Sequence, residues 1–154
     1  RWNLSLASLL WNWANCFGLK RYGMIDDITE FVGPKYGIPH GYNVAAVAPY
    51  CLEFALPASA DRLALIGAEA FGEDVRGSSL REVAFGVVET VANIVKDLGL
   101  RRCLKEWNVP KEDIPDLVDF LMKYYSVDAT GRRPLTVENV TELFHKAWEG
   151  KIGS

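Results

Sequence analysis

Only two histidines, His40 and His145, stand in 154 residues that carry twenty acidic side chains, so chemistry that needs imidazole has few sources. His40 lies in Pro39-His40-Gly41, a rigid turn ahead of an apolar stretch. There the ring would be held near a helix N-terminus while the glycine lets another group approach closely. Such fixed placement suits a ligand or a general acid/base. Asp26 stands fourteen residues upstream, and Glu30 follows it one helical turn later. Positions i and i+4 share a helix face, so both carboxylates can point at one spot, and the turn through Gly33-Pro34 can return His40 to it. Two carboxylates and one imidazole make a site for Fe²⁺, Mn²⁺ or Zn²⁺, with coordination positions left for water or substrate. Asp26, Asp27 and Glu30 also describe a solvated acidic helix face, paired with Lys35 or Arg21 at a fraction of a kcal/mol. His145, set among Leu143, Phe144, Ala147 and Trp148, is expected to pack or face solvent rather than react.

Other sources of chemistry are missing. The chain has no G-x-G-x-x-G, no glycine-rich loop ending in Lys-Ser/Thr, no G-x-S-x-G and no H-E-x-x-H, so it carries no cofactor-binding fingerprint of its own. Seventeen basic against twenty acidic residues give a net charge of −3, which offers no electrostatic footprint for nucleic acid or an anionic membrane. Cys16, Cys51 and Cys103 are odd in number and far apart. They read as buried, reduced thiols of a cytoplasmic protein.

The elements that must position these groups are helical. Leu6, Leu9, Leu10, Trp13 and Phe17 recur at spacings of three and four, the apolar stripe of a helix over 3–19 that Gly18 can end. A second helix is expected over 22–32, stopped by Gly33-Pro34. The run 42–55 is apolar almost all round and reads as a buried central helix kinked at Pro49. Further helices are expected over 59–71, ending at Gly72, and over 79–98, opened by the capping box Ser79-x-x-Glu82 and closed by Gly99. The last two, over 112–125 and 136–149, follow Pro110 and Pro134, with Thr136 as N-cap and Gly150 as terminator. With no alternating strand pattern and no linker, the chain reads as a single all-α domain over 1–154, a bundle of about seven helices.

The stretch from Gly23 to Gly33, Gly-Met-Ile-Asp-Asp-Ile-Thr-Glu-Phe-Val-Gly, is followed by Tyr36-Gly37-Ile38-Pro39-His40-Gly41-Tyr42-Asn43-Val44-Ala45-Ala46-Val47-Ala48-Pro49. Together they resemble the signature of the iron-containing (group III) alcohol dehydrogenases, which reads Gly-x-x-His-x-x-x-His-x-x-Gly and then Pro-His-Gly-x-x-x-Ala. The resemblance continues in order through Leu98-Gly99-Leu100, Val109-Pro110-Lys111-Glu112-Asp113-Ile114-Pro115, Arg133-Pro134-Leu135-Thr136 and Ala147-Trp148-Glu149-Gly150. It implies the C-terminal helical domain of dehydroquinate synthase-like, iron-type alcohol dehydrogenases.

By that resemblance His40 is a metal ligand, Asp26 falls where the family has a second ligand histidine, and Glu30 falls where it has a histidine near the substrate, which makes Glu30 the candidate catalytic group. The metal implied is Fe²⁺ or Zn²⁺. The family's remaining ligands, an aspartate and a histidine four residues apart, would lie ahead of Arg1, as would its nucleotide-binding domain. NAD(P)-linked turnover of a small alcohol or aldehyde is therefore expected only with a nucleotide-binding domain, supplied by a separate chain or by a longer enzyme of which these residues are a piece. The two histidine replacements leave a second expectation, a non-catalytic relative that serves as a helical interaction or assembly module. An uncovered apolar stripe on the first helix would favour homo-oligomers.

Overall fold

The computed structural model describes residues 2–3, 5–6, 24–73, 76–124 and 133–153. The helix expected over 3–19 and Cys16 lie largely or wholly outside these residues. Helix α1 spans Met24–Tyr36 and buries Met24, Ile28 and Val32, the four-residue repeat of one apolar face. It runs past the stop expected at Gly33-Pro34. A proline in the last turn forfeits one intrahelical hydrogen bond of a helix about to end in any case. The actual terminator is Gly37 at φ 67°, after which the Ile38 N–H donates to the Gly33 carbonyl at 2.9 Å. This is a Schellman closure, and it tucks Ile38, 4% exposed, into the core.

Helix α2, His40–Phe71, joins the two helices expected over 42–55 and 59–71 into one 32-residue element. Its single non-helical residue is Ser59, at φ −138° and ψ 19°. The interruption therefore follows Pro57 and not Pro49, the expected kink site. Each proline removes one N–H from the ladder and crowds the carbonyl four residues back, and the distortion is taken up beyond the second. Gly72 closes α2 in the left-handed conformation, as expected. Helix α3, Leu80–Asp97, opens with the reciprocal Ser79–Glu82 capping box. It ends where Gly99 N–H bonds the Lys96 carbonyl and Leu100 N–H bonds that of Val95. Two 3₁₀ turns, Leu104–Trp107 and Lys111–Asp113, lead into α4, Ile114–Tyr124, and α5, Val137–Glu149. Thr136 caps α5 in a box with Asn139, and Gly150 ends it at φ 79°.

Among the described residues every regular element is helical, and the five α-helices pack as an all-α bundle. Helix α3 lies along α2, α1 crosses the first half of α2, and α4 pairs with α5. The larger core joins α1, the first half of α2, the 3₁₀ segment, α4 and α5 around Val32, Val47, Leu104, Leu117, Leu121, Val140 and Phe144. A smaller one lies between α2 and α3, around Leu56, Leu63, Ala84, Val87 and Val88. Burying each of the larger side chains contributes roughly 1.5–3 kcal/mol. Cys51 and Cys103 are buried free thiols, as expected, and burial pushes Cys51 up to about 12. No described helix is long and apolar enough to cross a membrane.

Candidate functional site

The site is assembled where α1 turns back into α2. Pro39 takes the N-cap position at φ −59° and ψ 140° without a side-chain cap bond, so His40 is the first residue of α2. The positive end of that helix favours an anionic group beside it. Asn43, fully buried, sits one turn further on the same side of α2 and donates from Nδ2 to the Thr29 carbonyl at 3.1 Å. Gly33 provides the clearance. A Cβ there would come within 3.1 Å of the Ile38 carbonyl oxygen and 3.2 Å of Asn43 Nδ2. The Schellman closure and the Asn43 bond thus hold the start of α2 against the stripe of α1 that carries Asp26, Thr29 and Glu30.

Asp26, Glu30 and His40 are all exposed, and among the described residues none of the three side chains is engaged in a hydrogen bond or ion pair. The expected surface pairing of the acidic face with Lys35 is not formed. Lys35 is drawn to the other side of α1, 3.2 Å from Asp113 and 3.6 Å from Asp116. Carboxylate and imidazole are donor types that a borderline divalent cation takes, so Asp26 and His40 fit a metal in kind. They do not enclose one: among the described residues no three His, Cys, Asp or Glu side chains are gathered closely enough to hold an ion. His145 is exposed on α5 and borders a shallow apolar groove with Ile114, Val118 and Val137.

Two features of this region were not assigned from the sequence. One is Asn43, whose signal was a lone amide in an otherwise apolar helix. The other is an aromatic cluster beside the His40 turn. The exposed Tyr42 ring lies 5.7 Å from that of Trp107, and the Arg101 guanidinium sits 4.3 Å above the Trp107 ring. On the far side of α1, Tyr36 donates to Asp113 Oδ2 at 2.7 Å and Phe31 stacks on Phe120 with ring centroids 3.7 Å apart. These contacts fasten α1 to α4 and to the 3₁₀ turn ahead of it, and leave the Asp26–Glu30 face open.

The described residues form an all-helical bundle in which a Pro-His-Gly turn heads a buried central helix packed against the helix that carries Asp26 and Glu30. The sequence pattern of the Fe-containing alcohol dehydrogenase family, C-terminal, matches residues 1–148, and the chain belongs to that family. Lactaldehyde reductase of Escherichia coli (strain K12) is 29% identical over 126 residues, 82% of this chain and 32% of the relative. The 1,3-propanediol dehydrogenase of Citrobacter freundii is 27% identical over 148 residues, 96% of this chain and 37% of the relative. The solved alcohol dehydrogenase from Oenococcus oeni superposes with a TM-score of 0.73 at 25% identity, covering 82% of this chain and 32% of that one. The chain thus spans about a third of the length of these relatives.

Proposed function

We propose that this chain is the metal- and substrate-side helical domain of an NAD(P)-dependent alcohol oxidoreductase, turning over a small alcohol or aldehyde when joined by a nucleotide-binding domain. The observation that carries this reading is the family match over residues 1–148 together with the Pro39-His40-Gly41 turn at the head of α2. In this reading His40 and Asp26 supply two ligands to Fe²⁺ or Zn²⁺, and the remaining ligands come from outside residues 1–154. The metal, when bound, supplies Lewis acidity toward the substrate oxygen. Asp26 brings a negative charge where an imidazole would be neutral, which favours a harder cation and lowers its electrophilicity. Glu30, one turn along the same face, can accept the proton of an alcohol or donate one to an alkoxide. Asn43 and Gly33 hold the His40 turn against that face.

The proposed partners are a nucleotide-binding domain, in the same or a separate chain, and further copies of this one, in a reducing cytoplasmic setting that suits its free thiols. The negative net charge argues against nucleic acid and anionic membranes as partners. The test is complementation: the 154-residue chain mixed with the N-terminal domain of a relative, assayed for NAD(P)H oxidation with a small aldehyde. The chain alone is expected to be inactive and the mixture active, with Glu30→Gln slowing turnover roughly 10²-fold. An inactive mixture of stably associated domains overturns the reading. In the second reading the chain is a non-catalytic helical assembly module. It is favoured by the carboxylates at Asp26 and Glu30, where the family carries histidines, and predicts tight association without turnover.

A further inference from the structure

Beyond the break at Ser59, the second half of α2 turns one face to α3. Leu63, Ala64 and Gly67 are buried there, and a Cβ on Gly67 would come within 3.1 Å of both Val83 and Val87. The opposite face carries Arg62, Leu65, Ile66 and Glu69, all exposed, at the i, i+3, i+4 and i+7 positions of one helical stripe. Leu65 is 58% exposed and Ile66 45%. A single exposed leucine is ordinary on a protein surface. Here two adjacent large aliphatic side chains share the outward face of a helix, with a cation one turn before them and an anion one turn after, and such a patch calls for a specific cover.

Neither charge is matched well within the chain. Arg62 Nε lies 4.0 Å from Asp61 Oδ2, and both side chains are more than half exposed, an arrangement worth a fraction of a kcal/mol. Glu69 makes no hydrogen bond or ion pair among the described residues. Arg62 and Glu69 stand seven residues apart, roughly 10 Å along the helix axis, too far to reach each other. Across a two-fold axis they can. In an antiparallel pair of these helices with the axis between Leu65 and Ile66, each residue faces the one equally far beyond that midpoint. Leu65 then meets the partner's Ile66, Arg62 meets the partner's Glu69, and each contact occurs twice. A parallel pair would set arginine against arginine and glutamate against glutamate, which is repulsive. The charge pattern therefore selects the antiparallel arrangement, and it selects a second copy as the occupant, because the stripe is its own complement.

We propose that this face of α2 is an interface between two copies of the chain, antiparallel about a two-fold axis at Leu65 and Ile66. The pairing gives the self-association proposed above its surface and rests on that part of the reading alone. Sedimentation equilibrium of the 154-residue chain over a wide concentration range tests it, and a monomer–dimer equilibrium is expected. Arg62→Glu and Glu69→Arg each set like charges in both symmetric contacts and are expected to raise the dimer Kd roughly tenfold or more. The double substitution Arg62→Glu with Glu69→Arg restores opposite charges, and the Kd is expected to return to within about threefold of the unaltered value. Both positions are exposed, so circular dichroism should be the same in all variants. A dimer that neither single substitution weakens overturns the proposal while self-association stands, since another surface, such as the apolar stripe of 3–19, then carries it. Weakening without rescue in the double variant also overturns the pairing. A monomer at every concentration overturns this surface and the self-association together. Dissociation of the dimer by the N-terminal domain of a relative assigns the face to that domain and overturns the proposal. Metal content and NAD(P)H oxidation do not depend on any of these outcomes.

Discussion

Asn43 and Gly33 decide how well the site is built, although neither carries a charge. Gly33→Ala would gain up to about 1 kcal/mol of helix propensity, but the new methyl meets a backbone oxygen and a buried amide, neither of which can swing away. The expected net effect is a loss of about 1 kcal/mol, read as a lower urea midpoint at unchanged slope. Asn43→Ala should lose about 2 kcal/mol, from the hydrogen bond to Thr29 and the cavity left behind. The reactive types at this scale were legible in the sequence, since Asp26, Glu30 and His40 are conspicuous by chemistry and spacing. Asn43 was not, because an amide's role depends on which carbonyl the fold puts opposite it.

The ends of the elements were more legible than their middles. Ser79–Glu82, Thr136, Gly72, Gly99 and Gly150 all work as helix boundaries, because capping is a local transaction within four residues. Thr136→Ala is expected to cost about 1 kcal/mol, visible as a lower thermal midpoint. The two prolines misled because their effect depends on packing. Pro34 is tolerated in a closing turn, and the bend of α2 is deferred to Ser59. Between elements, ion pairs set the pH limits. The Tyr36 hydroxyl and then the Lys35 ammonium hold Asp113 below its usual 3.8. The Asp113 part of the tie between α1 and the 3₁₀ turn ahead of α4 is therefore whole above that pH and lost as pH falls through the lowered value, while the Phe31–Phe120 stack remains. Burial opposes the charge on Lys146, but its bonds to Glu53 and Glu142 prevail and hold it above 10.5. Its contribution is whole below pH 10.5 and lost as pH rises through the raised value. Lys146→Met, which strands the Glu53 carboxylate, should cost about 2 kcal/mol at pH 7 and flatten the alkaline limb of the thermal midpoint against pH.

For the whole molecule, two cores meet along α2, and Ile152 touches both, so the segment after α5 ties the α2–α3 pair to the remaining helices. The described helices share these two cores, while the candidate metal face offers one ligand of family type, His40, beside the carboxylate of Asp26. The central claim is that His40 and Asp26 supply two ligands of a metal site completed from outside residues 1–154, and elemental analysis of the chain assembled with the N-terminal domain of a relative, after loading with Fe²⁺ or Zn²⁺ and exhaustive desalting, tests it most directly. The account predicts near-stoichiometric metal in the assembly with the unaltered chain and its loss with both His40→Ala and Asp26→Ala, with the fold retained by circular dichroism. A metal-free assembly with the unaltered chain, or metal that survives both substitutions, would contradict it.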